Sequence, residues 1–381
     1  MTELYYGCGS QDQFDEYIDF INYVFGFNGD EEDFKKLLPK LFQSDRNPMP
    51  GTYLVTDHDR IKAAVGVYEG EVTAGGMTLR TAGIGNVAVH PYERSKGYMK
   101  KLMHMAVDDM IRNQIDYSFL SGIRQRYNYF SFEKAGVCYY FELDKTNIRH
   151  VFGDVKAPYQ MKMVEADDDA SLDVIDKLIR SKSYVPERKR KDLHRILCSW
   201  YAHPYIFLDG ERIAGYCVIN DNEVTEILAE RDEDFLKIIR TIAAEKNEIT
   251  VLLPDYLTTY KEALEPAAEQ MKVGSGVMFS VFCYQRVIQA FMKLKAGYTV
   301  MPDGTFTVRI HGRAGEENLT VTVRNQEVTV TESTAEPVTE LSHLEAMRFF
   351  FAPICEKRRQ MPSFVQCWFP LPLWIYAADN V

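Results

Sequence analysis

The sequence is short of the features that mark several large protein classes. It has no apolar run approaching the length of a membrane span, and its opening Met1-Thr2-Glu3-Leu4-Tyr5-Tyr6 lacks the basic and apolar regions of a secretory signal. The expectation is a cytoplasmic protein with no membrane partner. Its seven cysteines, Cys8, Cys138, Cys198, Cys217, Cys283, Cys355 and Cys367, are odd in number and form no Cys-x-x-Cys pair, so reduced, mostly buried thiols are expected. The eight histidines include no His-Glu-x-x-His, and His194 and His203 lack partners at zinc spacing; no metal is expected. Positive charge is in deficit too. With 44 Lys and Arg against 55 Asp and Glu the formal charge is −11. That argues against a nucleic-acid surface, whose affinity comes largely from neutralising phosphates, and favours cationic partners such as amines.

What is present is core-forming material in an alternating pattern. A chain of 381 residues with 46% hydrophobic content can build two or three domains, each with its own core. Residues 1–150 read as one α/β domain with a mixed sheet: a helix from Gln13 to Phe25, strands at Tyr53 to Thr56 and Ile61 to Tyr68, a long strand pair around Met77 to Val89, and a closing strand from Gly136 to Leu143. Residues 151–284 repeat the pattern faintly, with a hairpin from Ile206 to Ile219 about an Asp-Gly turn and a strand Val224 to Ala229 before the helix Phe235 to Ala244. From 285 to 381 the composition changes again. An amphipathic helix Arg286 to Leu294 precedes strands Gly304 to His311, Leu319 to Arg324 and Gln326 to Thr331, then a helix Ser342 to Phe351.

The most informative stretch runs from Val87-Ala88-Val89-His90-Pro91 through Tyr92-Glu93-Arg94-Ser95-Lys96-Gly97-Tyr98-Met99. Three β-prone residues end at a proline, and a short basic turn opens a helix whose apolar positions Met99, Leu102, Met103, Ala106 and Met110 recur at helical spacing. Free N–H groups at a helix start, the helix dipole, and Arg94 and Lys96 together attract a diphosphate, while Gly97 lets the backbone approach it closely. The nucleotide P-loop is excluded, since no Gly-Lys-Ser/Thr ending follows. A solvated basic helix start is the plain alternative.

Arg94-x-x-Gly97-x-Met99 after Val-x-Val-x-Pro resembles the acetyl-CoA loop of the GNAT N-acetyltransferase superfamily, usually Gln/Arg-x-x-Gly-x-Gly/Ala. A larger apolar residue at the last position, here Met99, is usual in the subfamily resembling the enhanced intracellular survival (Eis) aminoglycoside acetyltransferases. About thirty residues on, Tyr117-Ser118-Phe119-Leu120-Ser121-Gly122 reads as the next buried strand, followed by a short helix Arg124 to Phe130. There the superfamily carries Tyr-x-x-x-Gly-Phe. Tyr127 stands five residues before Phe132, the family interval, with Ser131 in place of glycine. The resemblance implies that Tyr127 is the general acid that protonates the departing CoA thiolate, and that Val87, Ala88, Val89, Arg94, Ser95, Lys96, Gly97, Tyr98, Met99 and Ser121 contact acetyl-CoA. A tyrosine packed on the core is the alternative in a chain with 23 of them.

The same resemblance implies tandem GNAT-like mixed sheets, 1–150 and 151–284, followed by a sterol-carrier-like α+β domain at 285–381 that serves assembly, as trimer or hexamer, and the active site. Because Glu230-Arg231-Asp232-Glu233-Asp234 offers four carboxylates and no glycine where the second segment would need a loop, one acetyl-CoA per chain is expected. The implied chemistry is acetyl transfer to a primary amine of a cationic acceptor: an aminoglycoside, a polyamine or a protein lysine. In the Eis type the base is the free C-terminal carboxylate, here that of Val381, and the apolar tail Phe369 to Ala378 suits a buried path. A non-catalytic CoA- or lipid-binding module is the alternative from another class.

Three features carry plainer expectations. Arg188-Lys189-Arg190-Lys191 reads as a solvated helix face, with contact to the CoA 3′-phosphate as the alternative. Asp30-Glu31-Glu32-Asp33 suits either the mouth of a cationic pocket or a helix cap. Phe25, Phe27 and Trp200 read as core aromatics that could instead line the pocket.

Overall fold

The frame of the first sheet is one long hairpin, Arg60–Ala74 with Met77–Val89. Its two-residue turn is Gly75-Gly76, both at positive φ, which matches the twist of two antiparallel strands and needs no Cβ. In the computed structural model, which describes residues 4–27, 29, 32–58, 60–153 and 157–381, this hairpin lies within an eight-stranded mixed sheet. Asp30 and Glu31 of the acidic run, and Met1 to Glu3, lie outside the described residues. The strands run in the order Tyr5–Cys8, Thr52–Asp57, Arg60–Ala74, Met77–Val89, Tyr117–Leu120, Met278–Val281, Glu133–Lys134, and Tyr184–Pro186 joins the far end of Arg60–Ala74. The helix Tyr98–Arg112 buries Leu102, Met103, Ala106, Val107 and Met110, the stripe its periodicity dictates, on one face. The helix Phe14–Gly26 with Phe34–Leu37 and Pro39–Phe42 covers the other.

A second, seven-stranded sheet has the same strand order: Gln160–Met163, His203–Asp209, Arg212–Asn220, Glu223–Ala229, Ile249–Pro254, Cys138–Leu143, Gln270–Gly274. The sixth place in each sheet is filled from the other half of the chain. Met278–Val281 inserts between Tyr117–Leu120 and Glu133–Lys134, while Cys138–Leu143 inserts between Ile249–Pro254 and Gln270–Gly274. The strand expected to close the first sheet therefore belongs to the second. Alternation and apolarity specify that a segment is a strand, not which edge it joins. The crossing occurs at Gly136, at φ +82, where a Cβ would stand 2.5 Å from the Leu373 carbonyl oxygen.

The third unit is a four-stranded sheet, Glu327–Glu332, Glu316–Arg324, Gly304–His311 and Thr339–Ser342, against helices Tyr284–Ala296 and His343–Phe351. Phe306 stacks on Phe349 at 5.8 Å between centroids, and Phe350 and Phe369 complete that core. From Phe369 the tail leaves this unit and runs back between the first two sheets, with Leu371, Leu373, Trp374, Tyr376 and Ala378 all buried. None of the described helices is long and apolar enough to cross a membrane.

Candidate active site

The parallel pairing of Met77–Val89 with Tyr117–Leu120 runs from Thr81 opposite Tyr117 to Ile84 opposite Leu120 and stops. Beyond it the first strand continues through Val87, Ala88 and Val89, while the second turns away at Ser121 and Gly122, the latter at φ +135. On its other edge the strand carries a bulge: Asn86 and Val87 stand opposite the single residue Val65. Asn86 takes φ +53, is buried, and its Oδ1 accepts from the Tyr68 hydroxyl at 2.7 Å. Backbone groups of Gly85 to Val89 thus face a gap in the sheet instead of a neighbouring strand, and remain available to a ligand.

At the end of this stretch Pro91–Glu93 forms one 3₁₀ turn, Ser95 and Gly97 both adopt positive φ, and Gly97 caps Tyr98–Arg112. Arg94, Ser95, Lys96 and Gly97 are exposed, and Arg94 makes no ion pair among the described residues. Lys96 instead pairs with Glu93, at 2.5 Å. Tyr98 points into the core against Tyr6, so it offers a ligand its N–H and not its ring; Met99 is half-buried in the same cluster.

Tyr127 ends the one-turn helix Arg124–Tyr127 and is buried, its ring packed so closely on Gly122 that a Cβ there would stand 2.7 Å from Cε2. Burial raises the phenol's pKa, with the neighbouring Arg126 offsetting part of the rise, so the proton is held at neutral pH. Ser121 lies beside it and is exposed; its Oγ accepts from Asn380 Nδ2 at 2.9 Å. Next to Asn380, Val381 is buried against the strand. A methyl group on Gly85 would stand 2.8 Å from the Val381 carboxyl carbon and 3.2 Å from its oxygen. Tyr127, Ser121, the tail end and the unpaired strand therefore form one continuous neighbourhood.

Three residues fix the tail, and of these Lys40 gave no signal in the sequence. Lys40 Nζ donates to the carbonyls of Ala378 and Asn380, each at 2.6 Å; burial pushes its pKa down to about 7, Asp379 opposing and Arg188 adding to the shift. Trp200 Nε1 donates to the Asn380 carbonyl at 3.2 Å, so this aromatic does reach the site. Phe25 and Phe27 are instead exposed, Phe25 packing on the buried Phe34 and Phe27 on Tyr23 and Tyr92. Arg188 corrects the solvated-face expectation. It is 2% exposed and bridges Glu226, bidentate at 2.8 Å, and Asp379, at 2.9 and 2.7 Å. Composition cannot separate one buried arginine from three solvated neighbours. Asp33, from the acidic run, caps the helix Phe34–Leu37 by accepting from Lys35 N.

Beside the tail lies a cavity of about 160 Å³ lined by Glu69, Glu71, Glu187, Lys40, Tyr68 and Val381, among others. Its carboxylates suit a cation.

Residues 9–135 match the family described as an acetyltransferase (GNAT) domain. No curated protein matches the sequence. Among solved structures, the chain is similar to a GCN5-related N-acetyltransferase from Anabaena variabilis (12% identity, 100% of each chain covered, TM-score 0.69). It is also similar to a probable N-acyltransferase from Enterococcus faecalis (18% identity, 92% of this chain and 90% of that one, TM-score 0.65). Eis1 from Mycobacterium abscessus is a third (12% identity, 99% and 100%, TM-score 0.61). Residues 9–135 thus match a GNAT acetyltransferase domain, and the fold that the chain shares with these structures extends over its length.

Proposed function

We propose that this protein transfers the acetyl group of acetyl-CoA to a primary amine of a cationic acceptor. The observation that carries the reading is the position of Val381, whose carboxyl lies against Gly85 in the stretch of strand left without a partner. The diphosphate of acetyl-CoA sits at the N–H groups of Tyr98 and Met99, with Arg94, Ser95, Lys96 and Gly97 around it. The pantetheine runs along Val87, Ala88 and Val89 past Ser121. The acceptor enters from the side of Glu69, Glu71 and Glu187, which compensate its other positive charges.

The Val381 carboxylate accepts a proton from the acceptor nitrogen, which attacks as the neutral amine. The nitrogen bonds to the thioester carbonyl carbon, the oxyanion takes a strand N–H near Val89, and the C–S bond breaks as Tyr127 protonates the thiolate. Burial, which raises the phenol's pKa, keeps Tyr127 protonated and so able to donate to the departing sulfur. Support for a single site per chain comes from the second sheet. There the corresponding Ala229 N–H donates to the Tyr260 hydroxyl at 2.8 Å, and Arg212 binds Asp234 and Glu230, closing the equivalent gap with side chains. We read that lobe as GNAT-like without a cofactor, the third unit as sterol-carrier-like, and the protein as a cytoplasmic homo-oligomer, trimer or hexamer, built through it. A lipid-binding role for the third unit is disfavoured by the sheet face that Phe306, Phe349, Phe350 and Phe369 fill.

The test is a calorimetric titration with acetyl-CoA, followed by release of CoA thiol on adding amines. One site per chain and amine-dependent release are expected. Absence of acetyl-CoA binding rejects the reading, and binding without release with any of a polyamine, an aminoglycoside or a lysine peptide leaves the CoA-binding module in its place.

A further inference from the structure

The helix that bears Tyr127 is a single turn, too short to hold its own geometry. Its anchors come from far along the chain. Arg124, one turn before Tyr127 on the same helix face, donates to both oxygens of Glu133, at 2.5 and 2.8 Å. Glu133 is fully buried, and its second guanidinium is Arg348, at 2.8 and 2.5 Å, from the helix His343–Phe351 of the third unit. Burial alone would raise the Glu133 carboxyl, but the two arginines and the Lys134 N–H outweigh it and keep it ionised.

A second contact from the same helix reaches the turn between Tyr127 and Glu133. His343 Nε2 lies 2.9 Å from the Ser131 carbonyl oxygen, and its Nδ1 accepts the Arg313 N–H at 3.1 Å, so the Nε2 proton faces Ser131. Ser131 holds φ +72, the left-handed conformation in which the family usually has glycine, and its carbonyl is fixed there. A third contact, Gly136 N–H to the Phe351 carbonyl at 2.9 Å, closes the other end. The anchoring helix is itself locked by a capping box between Ser342 and Glu345.

We propose that Arg348 and His343 are positioning residues for Tyr127, so that the third unit sets the aim of the acid and acid catalysis depends on its docking. The inference rests on the role of Tyr127 proposed above. Tyr127 touches the leaving sulfur; Arg348 and His343 act only through Glu133, Arg124 and Ser131.

CoA itself is the probe, since it carries the sulfur and requires no acceptor. The ultraviolet absorbance of its thiolate, followed against pH in the complex with the full chain, reads whether a phenol donates to the sulfur. Tyr127→Phe is expected to lower the thiolate fraction at fixed pH about tenfold, the loss of one hydrogen bond to a charged group. Arg348→Ala lowers it in the same direction with CoA affinity within about twofold, because the loop at Arg94 to Gly97 is untouched, and added guanidinium ion restores it. The double variant falls no further than Tyr127→Phe. Where Arg348→Ala disturbs folding, His343→Leu, which removes the donor to Ser131, carries the same comparison. A wild-type thiolate fraction in Arg348→Ala or its stand-in, or a double variant that loses both effects in full, overturns the proposal. A silent Tyr127→Phe rejects the acid role of Tyr127 instead.

Discussion

Gly85→Ala adds one methyl group at the point where the chain's last carboxyl meets the unpaired strand. The site is extended backbone, so alanine is tolerated conformationally; the conflict is with the tail alone. The new Cβ would stand 2.8 Å from the Val381 carboxyl carbon, where ordinary contact begins at 3.4 Å. The flanking tail resists withdrawal, since Lys40 holds the Asn380 carbonyl, Asn380 holds Ser121, and Arg188 holds Asp379. Overpacking of this kind costs about 1–3 kcal/mol in stability. For catalysis the displacement counts more: misplacing a reacting group by about 1 Å costs on the order of 10²-fold. Acetyl-CoA affinity should hold within about twofold, because the bulge and the Arg94 to Gly97 loop are unchanged, while single-turnover acetyl transfer to an accepted amine falls roughly 10- to 100-fold. Gly274→Ala, whose Cβ meets only Tyr140 at 3.6 Å, is the matched control. Full transfer rates in Gly85→Ala would refute the assignment of the Val381 carboxylate to the chemistry.

Other outcomes follow from the same contacts. Tyr127→Phe should reduce turnover about 10²- to 10⁴-fold with acetyl-CoA affinity unchanged, and a wild-type rate in rapid-quench measurements would remove it from the acid role. Residues appended after Val381 should cut turnover as strongly, and a fully active extended variant would contradict the tail's part in proton transfer. Arg188→Ala leaves the buried Glu226 and the half-buried Asp379 without their cation and should destabilise the protein by about 3–5 kcal/mol; a thermal midpoint unchanged from wild type would argue against that cost. Burial pushes His343 down to about 4, so the unfolded chain binds the extra proton between that value and 6.5. Stability therefore falls as pH drops through this window, by about 1.4 kcal/mol per unit at most from this group. His343→Gln should flatten denaturation midpoints across it, and an unaltered slope would count against the neutral, buried ring.

The elements of this chain were largely legible because each follows from local pattern. The stripe Leu102, Met103, Ala106, Met110 specifies a helix with one buried face, and the Asp209-Gly210 turn specifies the hairpin of His203–Asp209 with Arg212–Asn220. Tyr127 was singled out by its interval from Phe132 and its distance from the Arg94 to Gly97 loop, not by residue type. Asn86 could have been found as well, since Gly85-Asn86 inside the otherwise apolar run Ala82 to Val89 is the signature of a bulge. Nothing local distinguishes Lys40, Trp200 was read as core with the pocket as the alternative, and the run at Arg188 to Lys191 pointed the wrong way.

By itself the sequence determined the periodic helices, the hairpins, the glycine-containing basic turn before Tyr98–Arg112 and the apolarity of the tail, because propensity, periodicity and turn chemistry act over a few residues. Tertiary structure alone decided that Cys138–Leu143 and Met278–Val281 exchange sheets, that Arg188 is buried between Glu226 and Asp379, that Arg348 holds Glu133, and that Val381 comes to rest on Gly85. Those outcomes depend on which surfaces meet between residues far apart in the chain. A strand edge, a guanidinium or a terminal carboxyl has the same local signature whether it ends in solvent or in the centre of the molecule.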